Sequence, residues 1–115
     1  ALQKALKLMN EYIDILCKVE YSFLTDIRRK VVFAEHYDEH REFWIRELTE
    51  DLERCREEGL LLREIDARGF AEQLLGTILE LRLNHTNRDG IRLFCKIILR
   101  GAATREGIEL IDRRR

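Results

Sequence analysis

The sequence predicts an all-α protein, an antiparallel bundle of about five helices, and three observations carry that prediction. Proline is absent and glycine numbers only 6 in 115 residues, so the breaks and tight turns that strand architectures depend on are scarce. Apolar residues recur at three- and four-residue spacing along most of the chain, which is the period of an α-helix. Charged residues make up 37% of the sequence and fall between those apolar positions, as a solvated helix face requires. A chain of this length encloses one core and has little room for two, so a single domain is expected.

The elements follow in order. Leu2, Ala5, Leu6, Met9, Tyr12, Ile13, Leu16 and Val19 form one long buried stripe, with Lys4, Lys7, Asn10 and Glu11 on the other side. Ser22 is placed to cap a shorter second helix with Phe23, Leu24, Ile27 and Val31 inward, ending near Phe33. A third helix starts between Ala34 and Asp38 and runs to Glu58, with Tyr37, Trp44, Leu48, Leu52 and Cys55 on one stripe and Phe43 and Ile45 beside it. On its charged side Glu42 with Arg46 and Glu50 with Arg54 are i, i+4 pairs, each contributing about 0.2 to 0.5 kcal/mol. Gly59 follows where a left-handed residue would end that helix. A short apolar connector covers residues 60–65. Asp66 then caps a helix over 67–83, and Asn87 caps another over 87–103. Residues 105–115, with Gly107 and the run Arg113, Arg114, Arg115, read as a solvated or frayed tail, leaving 1–104 as the domain.

The last two helices are too apolar for one core. In 67–83, Phe70, Ala71, Leu74, Leu75, Ile78, Leu79, Leu81 and Leu83 sweep about 220° at 100° per residue. In 87–103, Ile91, Leu93, Phe94, Cys95, Ile97, Ile98, Leu99 and Ala102 are as broad and leave only Arg92, Lys96 and Arg100 as a strip toward water. The economical solution is a homodimer in which both helices pack outward on the same pair of a second copy. Phe70, Leu74, Ile78, Leu81, Phe94, Ile97, Ile98 and Gly101 are the expected interface residues.

A net charge of -1 from 21 basic and 22 acidic residues gives no general attraction to nucleic acid or anionic membrane. The apolar runs fall short of the ~20 residues a membrane span needs, and no signal segment opens the chain; a soluble, cytoplasmic protein is expected. Cys17, Cys55 and Cys95 are odd in number and set among apolar neighbours, which suits reduced core thiols. His36 and His40 share a helix face, but no third ligand is fixed by spacing, so no metal is predicted. No nucleophile, base and orienter set and no glycine-rich phosphate loop is present, so neither catalysis nor a cofactor is expected. Aromatic area is concentrated in the first three helices, where a bundle pocket would hold an apolar or aromatic effector. Tyr12, Leu16, Tyr37, Trp44 and Leu48 are the candidates for lining it.

The stretch Leu52-Glu53-Arg54-Cys55-Arg56-Glu57-Glu58-Gly59, then Ile65-Asp66-Ala67-Arg68, the helix from Ala71 to Leu83, and the closing Ile97-Ile98-Leu99-Arg100-Gly101 resembles the C-terminal domain of the tetracycline-repressor (TetR) family of transcriptional regulators. The resemblance implies an effector-sensing and homodimerising half of a bacterial regulator, typically a repressor, with a four-helix dimer interface. It implies DNA binding only through an N-terminal helix-turn-helix domain. No such motif precedes Ala1, which opens inside a periodic helical pattern, so a fragment carrying the sensor without the reader is expected. The alternative is a helical interaction or scaffold module with no ligand, marked by a solid core where the sensor would have a pocket.

Overall fold

A computed structural model describes residues 2–18 and 31–113 of the chain, with side chains described from His40 onward in the second segment. Five α-helices and no strand are found among them: α1 (Leu2–Lys18), α2 (Val31–Glu57), α3 (Ala67–Leu83), α4 (Arg88–Ala102) and α5 (Arg105–Arg113). The fold is an all-α bundle. None of these helices is long and apolar enough to cross a membrane.

The amphipathic stripe of α1 places it at the centre. Leu2, Ala5, Met9, Tyr12, Ile13 and Leu16 are buried, and the helix packs against each of the other four. Lys4 beside Asp51 and Tyr12 beside Trp44 show that α1 and α2 run antiparallel. Asp14 beside Arg88 and Arg92 sets the second half of α1 against the start of α4. Arg82 on α3 donates to the Leu16 carbonyl at 3.2 Å, satisfying one of the acceptors that a helix C-terminus leaves open.

Two helices stop by the same device. At the end of α2 the Leu60 N–H reaches the Cys55 carbonyl and the Gly59 N–H that of Arg56, with Gly59 at φ 78. After α3 the Thr86 N–H reaches Leu81 and the His85 N–H reaches Arg82, with His85 at φ 63. Both are Schellman turns. Glycine announced the first in the sequence; the second is made by a residue that only tolerates the left-handed region. Asn87 caps α4 as its residue type predicts, accepting from the Gly90 N–H at 2.7 Å. Asp66 occupies the N-cap position of α3 in extended backbone, but its carboxylate makes no capping hydrogen bond.

Three sequence expectations need correction or limits. No helix break lies near Phe33: α2 is continuous from Val31 through the expected start at 34–38, where no glycine or proline would interrupt it. The shorter helix expected after Ser22 falls mainly on residues 19–30, outside the described residues. The expected tail is not one over 105–113, which form α5 with Gly107 and Ile111 buried. Gly107 is read differently in space: it is the close-packing residue of α5, and a Cβ there would meet the Leu60 carbonyl oxygen and the Ala103 side chain.

Candidate functional site

Two places hold the residues singled out in the sequence, an aromatic cluster between α1 and α2 and the outward face of α4. Spacing on α2 puts His40, Phe43 and Trp44 on neighbouring turns, and antiparallel packing brings Tyr12 of α1 alongside. Tyr12 and Trp44 meet edge to face with ring centroids 5.5 Å apart, both almost fully buried. Phe43 meets Trp44 edge on at 6.0 Å and stays 50% exposed. The Trp44 indole N–H donates to His40 Nε2 at 3.3 Å, so this buried donor is satisfied near the surface. Leu16 and Leu48 are buried in the same core. Structure thus brings Tyr12, Leu16, Trp44 and Leu48 together, while the Tyr37 side chain lies outside the described residues.

Tyr12 and Trp44 pack directly on each other. A groove of about 570 Å³, open to solvent, lies between α2 and α3 and is lined by Arg41, Glu72, Gln73, Thr77 and Glu80 around Leu79 and Leu81. Tyr12, Leu16, Trp44 and Leu48 do not line it.

The second place is the face of α4. Ile91, Cys95, Leu99 and Ala102 point into the core, whereas Leu93 and Ile97 are each 58% exposed and Phe94 is 43% exposed. Gly101 continues this stripe and is exposed. Arg88 and Arg92 pair with Asp14 of α1, and Arg100 pairs with Asp112 of α5 at 2.9 Å. That flank of α4 therefore lies toward α1 and α5, and the apolar stripe is what it leaves outward. A smaller groove of about 220 Å³ runs beside it, lined by Leu93, Lys96, Ile97, Arg100 and Asp112.

The expected interface residues differ in their exposure within one chain. Leu74 and Ile78 are 1% and 0% exposed within one chain and belong to its core. Phe70, Leu81 and Ile98 are half-buried against that core, and Phe94, Ile97 and Gly101 remain outward. Leu93, absent from the expected interface, is among the most exposed apolar residues; its place beside Ile97 on the helical wheel was the available signal.

Electrostatics separates surface from core. Arg68 of α3 makes two hydrogen bonds to the Glu42 carboxylate of α2, at 2.7 and 3.0 Å, and one to Glu72; these bonds raise its pKa further. Glu42 is thus engaged across helices, by Arg68. Asp51 is the buried carboxylate, 2% exposed, with Lys4 and Arg54 near Oδ1 at 3.8 and 3.9 Å and no hydrogen-bond partner for Oδ2. Sequence reasoning did not single it out. Cys55 and Cys95 are buried free thiols whose pKa is pushed up to about 11 by burial, which keeps them protonated and unreactive at neutral pH. Among the described residues no group of His, Cys, Asp and Glu could hold a metal ion.

No family model, curated protein or solved structure matches this chain.

Proposed function

We propose that this chain is the effector-sensing and homodimerising part of a TetR-type transcriptional regulator, a repressor, responding to a small apolar or aromatic molecule and working in the cytoplasm. The observation that supports it most is the uncovered stripe of Leu93, Phe94 and Ile97 on α4, a contiguous apolar face of the kind that proteins place at interfaces. In this reading the stripe meets its symmetry mate in a second copy. The effector enters at the Tyr12 and Trp44 end, and it acts by preferring one arrangement of the pair over another. DNA is reached only through a helix-turn-helix domain outside this sequence, so the chain alone binds no specific DNA in a mobility-shift assay.

One observation favours a second reading. Tyr12 and Trp44 close on each other, as in a scaffold or interaction module whose core holds no ligand. Trp44 is the chain's single tryptophan, so its emission reports directly on that site. Native mass spectrometry showing a dimer, with apolar or aromatic compounds shifting Trp44 fluorescence saturably, supports the sensor. A dimer whose Trp44 emission no such compound moves goes to the scaffold, and a monomer removes the pairing from both.

A further inference from the structure

We infer that α5 is a clasp that couples the C-terminal end of α4 to the first half of α1. The clasp is built on the connector after α2. The Leu62 N–H donates to the Ala102 carbonyl and the Thr104 N–H to the Leu60 carbonyl, at 3.0 and 2.9 Å, and Leu61 bridges Ala103. The Thr104 hydroxyl donates to the Gly59 carbonyl at 2.6 Å and caps α5 by accepting from the Gly107 N–H at 3.3 Å. Gly107 then lets α5 lie on the Leu60 carbonyl at a separation that any Cβ would prevent.

What α5 reaches from this anchorage is α1. Because α1 runs antiparallel to α2, with Lys4 beside Asp51, the first turns of α1 sit at the same end of the bundle as the Gly59 turn. Here α5 packs on α1 and α4, with Ile111 only 1% exposed and Asp112 paired to Arg100. A nine-residue helix is too short to persist alone in water, so α5 exists by docking, and the start of α1 loses a wall when it leaves. Since α5 follows α4 after the short Ala103, Thr104 link, a shift of α4 is delivered to α1 through it. This holds within one chain, whatever its subunit count.

Gly107→Ala tests the clasp, because alanine raises helix propensity while its Cβ blocks docking. Hydrogen exchange on the full chain should show the amides of 105–113 and of 6–9 exchanging at least about tenfold faster, with those of 74–79 unchanged. If 105–113 opens while 6–9 keeps its native protection, α5 is a passive end and the clasp is wrong. Should Gly107→Ala fail to fold, Thr104→Ala, which removes the hydroxyl bridge, decides on the same two segments: they open together if α5 is a clasp and separately if it is not. Subunit count measured on the same samples judges the pairing proposal separately.

Discussion

Helices α3 and α4 look alike in the sequence and differ in the structure. Each carries an apolar arc wider than one core face needs. In α3 most of the arc is spent at home: Ala67, Ala71, Leu74, Leu75, Ile78 and Leu79 are buried within one chain, with Phe70, Leu81 and Leu83 half-buried, because α1, α2 and α4 all pack against it. In α4 only Ile91, Cys95, Leu99 and Ala102 are buried, and Leu93, Phe94 and Ile97 remain outward. The lesson is that a broad arc counts apolar residues, not the neighbours available to cover them. Helix α3 packs on the long α2 as well as on α1 and α4, whereas α4 packs on α1, α3 and the nine-residue α5, so the same apolar arc is covered further on α3 than on α4.

This contrast can be broken most severely on α3. Ile78→Asp puts an unpaired charge where exposure is 0%, and a loss of about 3 to 5 kcal/mol is expected, enough to unfold a small domain. Circular dichroism and urea denaturation check it. Were Ile78→Asp to fold normally and change only the subunit count, the assignment of α3 to the core would be overturned.

The matching change on α4, Ile97→Asp, should leave the helicity of the folded chain close to the parent, since the side chain is 58% exposed and surface substitutions move stability by about 0.5 kcal/mol or less, with any larger fall in the midpoint limited to what pairing contributes. Its effect should appear in native mass spectrometry as loss of the dimer. Equal destabilisation by Ile78→Asp and Ile97→Asp would erase the distinction between the helices.

The buried thiols sharpen the same inside-outside division. Cys55 and Cys95 have folded pKa values of about 11 against about 8.5 in an unfolded chain. A raised folded pKa gives stability that is complete below the unfolded value and is lost as pH climbs toward the folded one. The urea midpoint should therefore fall between about pH 8.5 and 11, and Cys95→Ala, which removes one of the two thiols, should make that fall shallower. Ellman's reagent at pH 8 should reach the half-buried Cys17 before either of the others.

The smallest effect belongs to the charged flank of α4. Arg92→Gln removes one exposed partner of Asp14 while Arg88 remains 3.3 Å away, so a change within about 1 kcal/mol is expected by thermal melting.

Much of the fold was legible residue by residue. The stripe of α1 and the Asn87 cap needed only spacing and side-chain type, and Gly59 marked its own turn because the left-handed region favours glycine. His85 gave no such mark, since only the geometry of the turn requires its φ. Asp51 reads as one more acid on a charged helix, because burial depends on α1, 47 residues upstream at Lys4. Thr104 and Gly107 read as the start of a tail, because what makes them structural is the backbone of residues 59–62. At the candidate effector site, the sequence proposed Tyr12 and Trp44 together; their ring contact needed α1 and α2 to pack antiparallel.

Sequence by itself determined the class and the helices, because helical periodicity, glycine placement and capping act within a few residues of chain. It also showed that the C-terminal half holds more apolar surface than an ordinary pair of surface helices. Only the tertiary structure decided which of that surface is used. Burial is a property of neighbours brought together from distant positions, so Leu74 and Ile78 went inward, Leu93 and Ile97 stayed out, and residues that looked like a tail became α5 by docking on the carbonyl of Leu60.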